Sequence, residues 1–232
     1  KDLNATPNGS FYTFTSRLGL DVTGPDIGKA RSSAKIETDF GGFSGSNTML
    51  RIRQAYVNLD WGKSAVLVGI TWHPLFGAVM PDVLNLSTGA PFQPFNRSPQ
   101  IRYQYKANSR VQLTASVLWQ LQYLSSGPKG MSEDYIKNSC IPEMFVGADF
   151  TPADGWLMGL GAHMISLKPR TSTEWKEQTF KVNERMTAFS YEAHLKYSGR
   201  NYTFAAKTLM ASALDHTALL GGYGVSSVDS RT

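Results

Sequence analysis

The sequence predicts an all-β fold, a transmembrane up-and-down antiparallel β-barrel, and three observations carry that expectation. Period-two alternation of apolar and polar residues runs through segments longer than ordinary globular strands. The connections between those segments alternate between short and long, as in barrels with tight periplasmic turns and long external loops. No apolar run approaches the roughly 18 residues that a membrane-spanning helix needs. Composition agrees: 12 Phe, 10 Tyr and 5 Trp among 232 residues are too many aromatics for a disordered chain, and a single Cys excludes a disulfide framework.

About ten strands follow from the pattern. Tyr12 to Val22 sets Tyr12, Phe14, Leu18, Leu20 and Val22 against Thr13, Thr15, Arg17 and Asp21. Ser32 to Phe40 sets Ala34, Ile36 and Phe40 against Lys35, Glu37 and Asp39. Leu50 to Trp61 carries Arg51 and Arg53 on the parity that later holds Ala55, Val57 and Leu59, so a bulge near Gln54 or an extramembrane start is expected. Ala65 to Trp72 is apolar on both faces. In Gln100 to Lys106, Ile101, Tyr103 and Tyr105 oppose Arg102, Gln104 and Lys106. The clearest strand is Val111 to Tyr123, where Val111, Leu113, Ala115, Val117, Trp119, Leu121 and Tyr123 should meet lipid while Gln112, Thr114, Ser116, Leu118, Gln120 and Gln122 line water. Met144 to Phe150, Trp156 to Met164, Thr187 to Tyr197 and Tyr202 to Met210 complete the set, the third placing Glu192, His194 and Lys196 opposite Phe189, Tyr191 and Leu195.

Short turns fall at Gly24 to Lys29, Trp61 to Ser64, Lys106 to Arg110, Thr151 to Gly155 and Ser198 to Asn201. Long connections fall at Gly41 to Met49, His73 to Pro99, Leu124 to Pro142, Leu167 to Glu184 and from Ala211 onward. With the first strand descending from an external loop and the last ascending into one, residues 1–232 read as a single barrel domain that is incomplete at both ends. A closed barrel is required because an open edge in hydrocarbon leaves backbone groups unpaired.

The run Met49 to Trp61, followed by Val66-Leu-Val-Gly-Ile-Thr-Trp-His-Pro-Leu-Phe-Gly77 and the Pro-rich stretch to Pro99, resembles the porin-like outer-membrane proteins of the Bacteroidetes group. The resemblance implies a bacterial outer-membrane location, a larger barrel of about 16 strands, a passive diffusion channel and a trimeric assembly. Where enterobacterial general porins carry an acidic Pro-Glu-Phe-Gly-Gly-Asp loop, this chain has Pro74-Leu75-Phe76-Gly77-Ala78-Val79, so their constriction electrostatics do not carry over.

His73 to Pro99 is expected to fold inward and narrow the pore. Its length of about 27 residues is unusual for a connection. Its five prolines and its Leu75, Phe76, Val79, Leu84, Phe92 and Phe95 need a surface to cover. The apolar strand Ala65 to Trp72 is the expected surface, with His73, Asp82 and Arg97 at the constriction. An external cap or a subunit contact is the other reading of this loop.

A cation on the lipid face at the bilayer midplane costs about 2–4 kcal/mol, which sends the strand charges inward. The pore-lining candidates are Arg17, Lys35, Glu37, Asp39, Tyr56, Asp60, Arg102, Gln104, Gln120, His163, Glu192, His194 and Lys207. Glu143 and Asp149 share the inward parity. The wall is therefore mixed in sign, and the net charge of +5 points to a weak preference for anions. Lys and Arg are dispersed, without a basic cluster for nucleic acid.

Enzyme signatures are poor. Gly24 to Ala30 is one residue short of a phosphate loop, Gly159-Leu-Gly161 lacks the third glycine of a dinucleotide turn, and His73, His163, His194 and His216 show no metal-ligand spacing. Glu37 and Asp39 imitate a carboxylate pair but fit a pore wall. Cys140 has no neighbouring base. The expectation is a non-enzymatic porin for small hydrophilic solutes, without cofactor or metal, contacting outer-membrane lipid. The alternative is a structural or docking barrel within a larger outer-membrane assembly, favoured by Arg51 and Arg53 on the apolar parity.

Overall fold

The computed structural model describes residues 6, 9, 16–42, 49–80 and 89–224. Six strands come first: β1 (Arg17–Thr23), β2 (Arg31–Asp39), β3 (Arg51–Asp60), β4 (Ser64–Trp72), β5 (Arg97–Lys106) and β6 (Val111–Leu118). A small hairpin of β7 (Ser126–Gly127) and β8 (Gly130–Met131) precedes helix α1 (Asp134–Ser139). Then come β9 (Glu143–Phe150), β10 (Trp156–Leu167), a second hairpin of β11 (Ser172–Trp175) and β12 (Gln178–Lys181), β13 (Met186–Ser198) and β14 (Thr203–Met210).

Leaving out the two hairpins, the other ten strands form one sheet in chain order, every neighbouring pair antiparallel. This is the up-and-down topology that the alternating connections predict. Among the described residues no pairing joins β1 to β14, so the sheet is an open arc. No helix is long and apolar enough to cross a membrane among the described residues.

The central strands are two-faced. On β6, Leu113 and Val117 are exposed while Ser116 and Leu118 are buried. Val146 is exposed and Phe145 buried on β9; on β13, Phe189 and Tyr191 are exposed while Ser190, Glu192 and His194 are buried. Glycine keeps the inner face thin on β10: a Cβ at Gly161 would sit 2.7 Å from the Phe145 ring, and one at Gly159 2.3 Å from the His194 imidazole. The Gly159-Leu-Gly161 pair therefore makes room for two inward side chains.

The parity fault in the third strand is a bulge. Glu37 pairs with Gln54 and Thr38 with Ile52, leaving Arg53 as the extra residue. Arg53 and Gln54 both turn inward, Ile52 stays outside, and Arg51 returns to the inner face. Arg53 donates to Glu37 and Asp39 at 2.6 Å each, and Arg51 to Asp39 at 2.6 Å. The two arginines thus do not interrupt the apolar outer surface and mark no docking face there. The Glu37 and Asp39 carboxylates, which imitate a catalytic pair, are neutralised by these guanidinium groups.

Other expectations shift. The strand drawn as Val111 to Tyr123 ends at Leu118: Gln120 leaves the ladder because its amide turns to Ser125 Oγ and Glu143 Oε1, both at 2.8 Å. Ser116 and Gln120, expected to line water, are 5% and 1% exposed. The connections Leu124 to Pro142 and Leu167 to Glu184 carry α1 and the two hairpins. Tyr12 to Thr15 and the loop residues 81–88, including Asp82 and Leu84, lie outside the described residues.

Two apolar clusters sit inside the arc. Tyr135, Ile136, Ile165, Leu167 and Ala188 fasten α1 to β10 and β13. Leu75, Leu118, Phe145 and Leu214 join two connections to β6 and β9.

Two outcomes are expected. Cysteines placed at Gln104 or Gln112, which border inner cavities, should react with a membrane-impermeant thiol reagent in liposomes, while cysteines at Leu113 or Val117 stay protected. Arg53→Ala leaves Asp39 and Glu37 short of a buried partner and should cost about 3–5 kcal/mol, read as a lower denaturation midpoint in detergent.

Candidate functional site

The site is built where the segment after β4 crosses the inner face. Pro74–Phe76 form one turn of 3₁₀ helix opened by His73, whose Nδ1 accepts from Leu75 N at 3.2 Å. Pro at the first helical position suits that turn because its missing N–H would have no partner there. Beyond it, Leu75 packs on Leu118, Phe145 and Leu214, and Lys207 of β14 donates to the Leu75 and Phe76 carbonyls. A segment that leaves β4 and is held by β9 and β14 must span the arc from inside.

Trp72 anchors the near end. It stacks on Phe76, with ring centroids 4.1 Å apart, and meets Phe95 edge-on. The Arg97 guanidinium lies 4.9 Å over the Trp72 ring and donates to Tyr123 Oη. Gln93 donates to Phe76 O, Phe95 N to Thr217 O at 2.6 Å, and Asn96 Nδ2 to His216 O at 3.1 Å. The connection before β5 is thereby sewn to the one after β14. Among the described residues, the expected packing of this loop on Ala65 to Trp72 is seen at Trp72, which meets Phe76 and Phe95, while Leu75 packs instead on β6, β9 and Leu214.

Beneath the segment lies a sealed polar cluster. Glu143 Oε2 is 3.4 Å from His73 Nε2, 3.2 Å from His163 Nε2 and 3.1 Å from His216 Nε2. Its other oxygen accepts from Gln120. All five side chains are about 1–2% exposed. In the connections, burial pushes His73 down to about 4, against the Glu143 hydrogen bond. Burial works against a charged His216 as well, yet the Glu143 carboxylate more than offsets it and its pKa is raised. The Glu143 carboxylate thus favours the charged form of His216.

Beside the segment opens a cavity of about 340 Å³, bordered by Arg102, Gln104, Asp149, Glu192 and His194 of the wall and by His73, Phe76 and Gly77 of the segment. His194 bridges two carboxylates, Asp149 at 3.1 Å and Glu192 at 3.2 Å. Arg102 is braced by Gln100 Oε1 and Trp72 O. Positive and negative groups thus stand on different parts of one wet wall.

The candidates sort as follows. Arg102, Gln104, Glu192 and His194 border the main cavity, and Lys207 clamps the segment. Lys35 pairs with Asp21 at 3.0 Å and Asp60 with Arg31 at 2.7 Å, towards the short-turn end. Glu37 and Asp39 are held by the bulge arginines. Tyr56 packs against Gly69, where a Cβ would come within 2.9 Å of its own Cβ. Arg17 is exposed on β1 opposite Asp39. Gln120 and His163 do not face water, being closed into the Glu143 cluster. His73 and Arg97 are also buried, at 1% each, because the segment's fold turns them onto Glu143 and Trp72. Missed altogether was the convergence of His73, Glu143, His163 and His216, since residues so far apart in sequence have no spacing to read.

Comparison with protein-family models and with curated proteins finds no match. Among solved structures the chain is similar to OmpTdeltaL8, the loop L8 deletion mutant of OmpT, an outer membrane protein of Vibrio cholerae. The TM-score is 0.54 at 14% identity, over 85% of this chain and 61% of that one. The chain thus spans less than two thirds of the length of that structure. The likeness establishes the fold, an outer-membrane β-barrel, in accord with the exposed apolar outer face.

Lys207→Met should free the segment from β14, a loss of about 1–3 kcal/mol for two carbonyls left without their charged donor. The expected readout is faster amide exchange over residues 75–79 with the strand amides unchanged.

Proposed function

We propose that this outer-membrane barrel is a porin, a passive diffusion channel for small hydrophilic solutes, with the segment from His73 as its constriction. The observation that carries the reading is the crossing itself: Lys207 holds the Leu75 and Phe76 carbonyls, so an apolar turn lies inside the arc beside a cavity walled by Arg102, Gln104, Asp149, Glu192 and His194. An outer-membrane wall with a polar inner face encloses water, and a segment folded across it sets the width of the path. Mixed charges on that path favour polar solutes over apolar ones. The resemblance of Met49 to Gly77 to porin-like proteins of the Bacteroidetes group supports the same reading.

In this reading the barrel assembles as a trimer in outer-membrane lipid and carries no enzymatic step, and the Glu37 and Asp39 carboxylates serve as partners of arginine. Other outer-membrane proteins are possible neighbours in the bilayer.

Single-channel recording of the full-length protein in planar bilayers tests the function. Shortening the chain between Ala78 and Ala90 should raise conductance and relax the solute size limit while the barrel still assembles. Unchanged conductance and size limit, with loss of trimers, would show that the segment is a subunit latch.

A further inference from the structure

We propose that His73, Glu143 and His163 form a site for one divalent transition-metal ion of the zinc class, which pins the inward segment to the barrel wall. The site does not depend on the channel reading, since it concerns the contact between segment and wall whatever passes beside it.

The donor set comes first. One ligand atom from each of the three residues lies within 4.8 Å of the other two, and all three side chains are buried. Two imidazoles and a carboxylate are ligands suited to zinc, and three protein ligands leave a position open for water or a fourth group. A tetrahedral ion with bonds of about 2.0–2.1 Å spaces its donors by roughly 3.3 Å. The His73 and His163 nitrogens stand 3.4 and 3.2 Å from Glu143 Oε2. The two imidazole nitrogens lie within 4.8 Å of each other, so binding on one centre draws the two rings together.

The second observation is that the hydrogen-bonding account of this cluster is overfilled. Three Nε2 atoms, those of His73, His163 and His216, converge on the single oxygen Oε2. A carboxylate oxygen offers two lone pairs. An ion between His73 and His163 turns two of the three competing donors into ligands and leaves His216, at 3.1 Å, as the neighbour of Glu143 or the fourth ligand. Gln120 already orients the other oxygen at 2.8 Å, the kind of outer support that metal carboxylates have.

Tautomers decide what loading must change. His163 Nε2 faces the Glu143 carboxylate while its Nδ1 has no hydrogen-bond partner, so the proton sits on Nε2 and must pass to Nδ1 when Nε2 binds the ion. His73 Nδ1 accepts from Leu75 N at 3.2 Å; when Nε2 binds an ion, the proton moves to Nδ1 and that long contact is given up. The Leu75 amide is consequently a local reporter of occupancy. His73 also borders the inner cavity, so the buried ligands stand next to the wet side of the wall.

The probe is Zn²⁺ itself, added to chelator-stripped full-length protein in detergent, with retained metal counted after dialysis. Co²⁺ replaces it for visible spectroscopy. The expected result is one equivalent retained, intense tetrahedral Co²⁺ bands, and a shift of the Leu75 amide. Glu143→Gln and His163→Gln, chosen to keep volume, should each weaken binding at least about tenfold, while Cys140→Ser and His194→Gln keep the full equivalent. No stoichiometric metal on the wild-type protein overturns the proposal without any variant having to fold. So does full retention by His163→Gln, or loss in His194→Gln or Cys140→Ser, which would place the ion elsewhere. Conductance is not read in this experiment, so failure of the channel reading and failure of the metal site remain separate results.

Discussion

The ten-stranded sheet of this protein divides two solvents, and that constraint organises the rest of the molecule. Hydrocarbon on one side accepts Leu113, Val117, Val146 and Phe189 but no unpaired polar group. All the polar content of ten strands is driven to one concave side. There it must be solvated by water or by itself. The Arg51, Arg53, Glu37 and Asp39 group and the His194, Asp149 and Glu192 group show how neighbouring strands satisfy each other. Among the described residues, Gln120 and His163 reach Glu143 from nearby. Its remaining partners, His73 and His216, arrive on connections. The inward fold of those connections is thus the completion of a polar interior.

The outer face explains why so much of the wall is legible in the sequence. Alternation is a local property, and lipid enforces it residue by residue. Even the fault at Arg51 and Arg53 was visible as a break in parity, and the bulge at Arg53 is the local repair that a lipid-facing strand demands. The end of β6 was not visible. Trp119, Leu121 and Tyr123 continue the alternation, but the pull of Ser125 and Glu143 on Gln120 is tertiary and outweighs it.

The site was legible only in outline. Apolar content and prolines between His73 and Pro99 indicate that the segment needs cover, and Leu75 and Phe76 find it inside. The partner surface could not be read, because it depends on sheet curvature that brings β14 opposite β4. For the same reason the histidines looked solitary. His163 and Glu143 become neighbours through the β9 and β10 register, in which Phe145 faces His163, while His73 and His216 depend on two separate loops. Short elements inside long connections, such as α1, are also hidden, since six residues do not establish a helical period.

The clasp between Lys207 and the Leu75 carbonyl joins positions 132 apart in the chain, and the bond from Asn96 to His216 joins positions 120 apart. Contacts of that reach cannot form until most of the sheet exists, whereas each strand pair closes through a hairpin or a single connection. Wall and interior therefore rest on contacts of different reach along the chain, the wall on neighbouring strands and the interior on residues from opposite ends of the sheet. A change at Lys207 alters the seating of the segment without touching the strand register, so the wall and what it encloses can vary independently within one chain.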